Sequence, residues 1–272
     1  MKNSWLIILT LVFVSCESVI DLPIEEPGSQ YVVNSILNPD SVVRVYISKS
    51  VSLTDSAYFP DVNDATVILY ENNTTIDTLK HHPGGEYRSL YKPKPLMQYS
   101  AKVFTSDNVT LQALDSVPSL PEINSPALVR NDSGIILLNM LLEDSPVSGN
   151  IYLFRVFEKR KNGKLYKVEF SIKNFERMLS MIDTSIVFTD SEFNGTRKKM
   201  EIYFSAPYAQ QIIVRVSIIS KAYYLYLLTW TQNHLANQIS EYERVPNYCN
   251  IQHGLGIWCA ESQKEFTISL MK

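Results

Sequence analysis

The stretch that decides the fold is residues 31–48, YVVNSILNPDSVVRVYIS. Its first seven residues favour an extended strand, and the following Asn38–Ser41 is prone to form a turn. Beyond that turn Val43, Val45 and Ile47 alternate with Arg44, Tyr46 and Ser48. This alternation predicts a β-hairpin with one buried face and one solvent-facing face.

Similar short apolar segments separated by turn-prone residues follow along the chain. Prolines cluster between Val117 and Glu122 and again at Pro126, which predicts a domain boundary there. We therefore expect a mainly β protein with two antiparallel β-sandwich domains of immunoglobulin-like or carboxypeptidase-regulatory-like type, over 31–120 and 121–272. The further strands predicted are 65–70, 99–104, 110–114, 135–142, 151–157, 166–172, 200–205, 212–219 and 266–270.

One segment departs from the strand pattern. Residues 221–239, KAYYLYLLTWTQNHLANQI, contain neither Gly nor Pro and show no alternation of period two. Tyr223, Tyr226, Trp230 and His234 recur at helical spacing, which predicts one amphipathic helix packed on a sheet in the second domain. An aromatic stripe of this kind is more typical of a core, although it could also line a ligand groove.

The composition excludes several classes of protein. The chain has 272 residues, of which 45% are hydrophobic, and this suffices to bury sizeable cores. Its formal net charge is -3, and its basic residues cluster only at 159–161 and 197–199, beside Gly or Asn. We interpret both clusters as solvated hairpin tips, so that a nucleic-acid partner is not expected.

The first residues have the pattern of a processing signal. Lys2 precedes an apolar run from Trp5 to Val14, which is too short to span a membrane, and residues 1–15 are predicted to be a signal peptide. The stretch Phe13-Val14-Ser15-Cys16 is similar to a bacterial lipobox, apart from Phe13 where Leu is usual. This predicts acylation of Cys16, with chains such as palmitate, and a tether over 16–30. The alternative is an ordinary cleaved signal in which Cys16 is incidental.

The remaining cysteines leave two alternatives open. Cys249 and Cys259 lie ten residues apart across a Gly-containing loop, in a protein predicted to reside in the cell envelope. A disulfide could therefore close a small ring there. Two buried free thiols are the other alternative.

No sequence signature of catalysis or of metal binding is found. The chain lacks a phosphate-binding loop, a His-Glu-x-x-His motif, a Gly-x-Ser-x-Gly motif and a Cys-x-x-Cys pair, and it has four histidines. We expect no cofactor, no metal site and no enzymatic activity. The loop Asn250–Gly256, with two glycines, could present N–H groups to an anion, but the favoured interpretation is a structural turn that packs Leu255, Ile257 and Trp258 into a core.

Several of these segments together resemble a known family. Their order, from the lipobox through QYVVNSILNPDSVVRVYISKS and FPDVNDATVILYEN to the closing VPNYCNIQHGLGIWCAES, is similar to the Bacteroidota lipoproteins of domain of unknown function family 4249. The closing motif is the most specific part, and it includes Pro246, Asn247, Asn250, Gly254 and Gly256. Trp258 and Cys259 depart from the family pattern, so the ring hypothesis gains no support from it.

The resemblance implies a location and a partner more than a chemistry. It implies a lipoprotein of the outer membrane, anchored through Cys16, that is accessory to a TonB-dependent receptor or captures a ligand for it. The other hypotheses are a structural or adhesive surface protein and, less favoured, a hydrolase of envelope polymers or polysaccharides. Whether the protein faces the periplasm or the cell surface is left open.

A short motif adds a modification hypothesis. An Asp followed by Ser or Thr and a methyl-bearing residue is similar to the O-glycosylation acceptor of the same phylum. The four matching acceptors are predicted to lie in turns or strand ends of the first domain, and they are Ser41, Ser56, Thr78 and Ser116.

Overall fold

A computed structural model describes residues 28–52, 58–130, 135–173, 180–182, 184–239 and 241–270. The protein is mainly β with one helix in these residues, as the sequence predicts. The helix α1 spans Lys221–Ala236. The strands are β1 Tyr31–Leu37, β2 Arg44–Lys49, β3 Thr66–Glu71, β4 Thr74–Thr78, β5 Lys80–His82, β6 Glu86–Arg88, β7 Gln98–Phe104, β8 Thr110–Ser116, β9 Glu122–Arg130, β10 Ile135–Glu143, β11 Ile151–Lys159, β12 Leu165–Lys167, β13 Phe170–Lys173, β14 Ser180–Ile182, β15 Ser185–Thr189, β16 Arg197–Ser205, β17 Gln211–Ile219 and β18 Leu255–Ser269.

The strands form three sheets. A ten-stranded central sheet has the order β14-β15-β11-β17-β18-β1-β2-β6-β5, with β12 paired to β11. Two four-stranded sheets have the orders β4-β3-β7-β8 and β13-β16-β10-β9. Neighbouring strands are antiparallel except β1 and β18, which run parallel from Val32 beside Leu255 to Leu37 beside Ala260.

Both small sheets cover the same face of the central sheet. Trp258 of β18 packs into the core beneath the β3-β7 sheet, and Phe266 of the same strand packs beneath the β10-β16 sheet. These two residues lie an even number of positions apart, so their side chains point to the same face. Ile257 points to the opposite face, where it packs with residues of α1.

Two hydrophobic cores result from this arrangement. The first core is formed mainly by residues 31–117, but it also contains Ile251, Trp258 and Ala260. The second core is formed by residues 123–218, with Phe154, Phe188 and Phe193 in ring contact. The segment 251–260 thus packs with the N-terminal half of the chain. The domain boundary near residue 120 stays a prediction.

Several elements differ from the sequence prediction. Strand β9 occupies 122–130, a range that begins in the proline-containing segment and was not predicted as a strand, and β18 begins at Leu255 although only 266–270 was predicted as a strand. The predicted strand 166–172 is divided into β12 and β13. The basic cluster 197–199 is not a hairpin tip but opens β16, where Arg197 makes a 3.1 Å ion pair with Glu143.

The helix is shorter and less one-sided than predicted. It ends at Ala236, and all residues from Tyr223 to Asn233 are half-buried. Its second half is covered by the segment 243–248, since Asn233 Nδ2 donates to the carbonyl of Val245 at 2.8 Å and to Asn247 Oδ1 at 2.7 Å. No helix in the described part of the chain combines the length and the apolar run needed to cross a membrane.

Candidate binding groove

The closing motif of the chain holds β18 in place. The side chain of Asn250 spans the loop, since its Nδ2 donates to the carbonyl of Trp258 at 2.7 Å and its Oδ1 accepts from the Trp258 N–H at 2.9 Å. Ile251 and Trp258 are buried in the first core, and Trp258 Nε1 donates to the carbonyl of Tyr99 at 3.1 Å. Leu255, predicted to be buried, is 38% exposed because, like Ile257, it lies on the face of β18 opposite the first core.

The two glycines of the motif permit the close approach of β1 and β18. A Cβ atom at Gly254 would lie 2.8 Å from the carbonyl oxygen of Tyr31, and one at Gly256 would lie 2.1 Å from that of Val33. Gly256 also has a φ of +109°, which other residues rarely adopt. The backbone of β1 therefore occupies the space beside these glycines, which supports the structural interpretation of this loop over the anion-binding one.

The two cysteines have different surroundings and are not joined. Both are free thiols, with Cys259 buried and Cys249 exposed. Cys259 lies beneath α1 and donates to the carbonyl of Ser35, while Cys249 Sγ lies 3.5 Å from the carbonyl oxygen of Gly254. Burial raises the pKa of the Cys259 thiol, so this group is un-ionised at neutral pH.

Helix α1 lies on the open face of the central sheet and begins at a well-formed cap. Ser220 Oγ accepts from the N–H of Tyr223 at 3.2 Å and from the N–H of Ala260, also at 3.2 Å. The cap residue thus fixes both the start of the helix and its position on β18. Tyr223, Leu227 and Trp230 pack on the buried Ile151 and Leu153 of the sheet.

A groove runs between α1 and the open face of the sheet, and we call it the helix groove. It consists of two adjoining cavities of about 360 and 290 Å³, which share Ile36 and Tyr226. The first is also lined by Arg44 and Tyr46. The second is lined by Leu153, Arg155, Phe157, Lys167, Ser185, Tyr223, Leu227 and Trp230, among others.

Large apolar side chains in this groove remain open to solvent. Ile36 is 46% exposed and Tyr46 is 45% exposed, although each belongs to an interior strand of the central sheet. One helix of about 24 Å is too short to cover the face of a ten-stranded sheet. Exposed apolar patches of this kind mark interaction sites in soluble domains.

Arg155 places a charged group at the floor of the groove. Its Nη2 donates to Ser217 Oγ at 2.9 Å and pairs with the buried carboxylate of Glu261. Its Nε is buried and has no hydrogen-bond partner among the described residues.

Only some of the residues that line this groove can be predicted from the sequence. The aromatic stripe of α1 was predicted, and the structure places Tyr223, Tyr226 and Trp230 half-buried between core and groove. Tyr46 and Ile36 were missed, although Tyr46 gave a signal because it is a large aromatic residue at a solvent-facing position of the hairpin pattern.

The other predicted site residues lie apart from the groove or outside the described residues. Cys16 and Ser56 fall outside the described residues, while Ser41, Thr78 and Ser116 are exposed. Pro246 and Asn247 lie in the exposed segment that follows α1. Among the described residues, no group of three or more potential His, Cys, Asp or Glu ligands is arranged to hold a metal ion.

The fold and the groove define a mainly β protein whose central sheet has one open face lined by aromatic side chains. The chain belongs to the family described as Domain of unknown function (DUF4249), whose model matches residues 17–267. A comparison with curated proteins finds no match.

One solved structure similar to the chain is a β-glucuronidase from glycoside hydrolase family 2. The match has 12% sequence identity and a TM-score of 0.21, and it covers 70% of this chain and 19% of that chain. The chain thus spans about a fifth of the length of that enzyme. A likeness at this TM-score carries no argument about fold or activity.

Proposed function

We propose that the protein is a lipid-anchored, non-enzymatic component of the outer membrane, accessory to a TonB-dependent receptor or capturing a ligand for it. The lipobox-like stretch before Cys16 supports the anchor, and the family resemblance supports the receptor as partner. The helix groove is the surface that contacts the receptor.

The residue types that line the groove support its assignment as a protein–protein interface. Tyr, Trp and Arg are the side chains enriched at the energetic centres of protein–protein interfaces, because they bury large areas and keep a polar group for bonding. The groove presents Tyr46, Tyr226 and Trp230 together with Arg44 and Arg155. Burial raises the pKa of the Tyr226 phenol, so this group stays a hydrogen-bond donor at neutral pH.

The test is affinity purification of the tagged full-length protein from native membranes. Recovery of a stoichiometric TonB-dependent receptor is expected. It should be lost when Ile36→Ser and Tyr46→Ala are combined, because both side chains line the helix groove. Both are exposed to solvent, so their replacement should leave the cores folded. The matched control combines Leu114→Ser and Phe104→Ala, which are 51% and 41% exposed on the β3-β7 sheet. Clean recovery of the protein without a receptor would contradict the proposal.

The anchor is tested separately with a Cys16→Ser variant. Loss of the acyl chains should release the protein from the membrane fraction while both cores stay folded. A variant that remains bound to membranes in high salt would show that the lipid anchor is wrong.

A further inference from the structure

A second concave site opens at one end of the second core, where the β11–β12 hairpin faces the loop between β16 and β17. Two adjoining cavities of about 540 and 730 Å³ share Arg160, Lys161, Ala209 and Gln210. Tyr208 lines the first of them. We call this site the end cleft.

The guanidinium of Arg160 is fixed at the centre of the end cleft. It pairs with the carboxylate of Glu158, and its Cζ lies 4.0 Å from the ring centroid of Tyr166 and 5.0 Å from that of Tyr208. A guanidinium held between an acid and two aromatic rings loses little conformational freedom when it binds a ligand.

Glu158 leaves one acceptor unused beside this guanidinium. Its side chain is 5% exposed, and Oε1 accepts from Arg160. Its other oxygen, Oε2, is buried and has no partner among the described residues. Glu158 lines neither cavity, so its carboxylate acts by holding the guanidinium of Arg160 in place.

The hairpin also concentrates positive charge. Lys159 and Lys161 line the cavities, and Lys164 lies across the hairpin turn. None of these three ammonium groups makes an ion pair or a hydrogen bond with the part of the chain that the structure describes. With Arg160 they outnumber the single carboxylate of Glu158, so the end cleft attracts an anion.

An aromatic wall completes the end cleft. The side chain of Tyr208 is 68% exposed, so a large apolar ring is left open to solvent beside the charged groups. The apolar face of a sugar ring packs favourably on such an aromatic ring, because both surfaces leave water. Asn162 and Gln210 add amide groups that can bond hydroxyls.

We propose that the end cleft binds an anionic saccharide. The acidic group lies on Arg160 and the lysines, hydroxyls bond the amides of Asn162 and Gln210, and a sugar ring packs on Tyr208. The proposal rests on the ligand-capturing part of the proposed function and names the class of ligand captured.

The position of the end cleft suits capture away from the membrane. Strand β18 runs from Leu255, beside Val32 near the tether, to Ser269 at the end cleft. Its fifteen residues span about 46 Å, so the cleft lies far from Val32 and the other described residues that follow the proposed tether.

The test is calorimetric titration of the full-length protein, purified in detergent, with three probes. The probes are an oligogalacturonate, a neutral maltooligosaccharide and inorganic polyphosphate. We expect binding of the oligogalacturonate that weakens with added salt, and no binding of the neutral sugar. Tyr208→Ala and the double variant Lys161→Glu/Lys164→Glu should each weaken binding by about tenfold, the equivalent of one desolvated contact.

Matched controls separate the end cleft from general effects of charge and surface. Tyr58→Ala removes a tyrosine of similar exposure, 70%, and Lys80→Glu reverses an exposed charge, both at sites outside the second core.

Three results would overturn the proposal. They are absence of oligogalacturonate binding, affinities that do not change in the cleft variants, and polyphosphate binding of equal strength that does not respond to Tyr208→Ala. The titration needs no receptor, so its outcome is distinguishable from the recovery of a receptor that tests the proposed function.

Discussion

At Gly256 a single missing side chain permits two strands to pair. The backbone there has a φ of +109°, and a Cβ would lie 2.1 Å from the carbonyl oxygen of Val33. Backbone strain and a clash with an interior strand would therefore act together at this position.

We expect Gly256→Ala to lower the free energy of unfolding by about 3 kcal/mol or more, from strain plus overpacking. Gly84→Ala is the matched control, because Gly84 has a φ of +83° but open space around it. The control should lose only about 1 kcal/mol. Urea denaturation followed by far-UV circular dichroism measures both, and equal losses would show that the contact with Val33 is unimportant.

The buried carboxyl of Asp115 should give the protein a distinctive pH dependence. Burial raises the pKa of Asp115, and its Oδ2 has no partner among the described residues. Because its pKa is raised in the folded state, the contribution of Asp115 to stability is fully present below the unfolded pKa near 3.9 and is lost as pH rises through the folded pKa.

Asp115→Asn should therefore stabilise the protein at pH 7 by about 1 kcal/mol, since it removes a buried charge of which one oxygen, Oδ2, has no hydrogen-bond partner among the described residues. The gain should shrink as pH falls through the raised pKa of folded Asp115, because the wild-type carboxyl then becomes neutral. Asp107→Asn is the control of opposite sign, because a hydrogen bond from Thr105 lowers the pKa of Asp107. Thermal unfolding measured at several pH values tests this prediction. A gain in stability that does not depend on pH would contradict the role of the charge.

The structural importance of some single residues could be predicted from the sequence, and that of others could not. Asn250, Gly254 and Gly256 were identified by the closing motif, and their contacts explain why those residue types are needed. Ile36 was not identified, because a strand pattern alone does not reveal which face of an interior strand stays uncovered.

At the scale of elements, Ser220 links α1 to the sheet. Its hydroxyl accepts from Tyr223 and Ala260, one in the helix and one in β18. Ser220→Ala should cost about 1 to 2 kcal/mol, at the upper end for a cap because two N–H groups lose their acceptor.

Ser220→Thr retains the oxygen and serves as the control for this prediction. Hydrogen exchange of the first turn of α1 should accelerate in Ser220→Ala and stay close to wild type in Ser220→Thr. Unchanged exchange in the alanine variant would show that the helix is held by packing alone.

The elements that the sequence missed share a physical cause. Local patterns predicted β1, β2, β7, β10 and β17 closely, since these strands alternate and end at turns. The first half of β18 contains Gly256 and no alternation, because it is buried on both faces against partners distant in sequence. Strand β9 contains Pro126, and Pro is tolerated in it because it lies at a sheet edge.

At the scale of the whole molecule, the central sheet couples the two cores. Strand β18 pairs with β1 over its first half and with β17 over its second half. Unfolding of one core would therefore remove pairing partners from the other, and we expect a single cooperative transition.

A destabilising substitution in the second core should also shift the unfolding transition that is measured in the first core. Phe154→Leu, in the second core, should lower stability by about 1 to 2 kcal/mol. In a Trp5→Phe/Trp230→Phe background, which leaves Trp258 in the first core as the remaining tryptophan, the transition followed by its fluorescence should shift to lower urea by the same amount as the transition followed by circular dichroism. The exposed Leu165→Ala serves as control, and a Trp258 transition that does not move would show independent cores.

The parallel pairing of β1 with β18 sets an order of events during synthesis. The N-terminal strand emerges first, yet Ile251, Trp258 and Ala260 of the first core are made more than two hundred residues later. The first core therefore stays incomplete until almost the whole chain is available. A chain that stops before β18 would expose the apolar surface left by Trp258, and proteases that remove unfolded chains would recognise it.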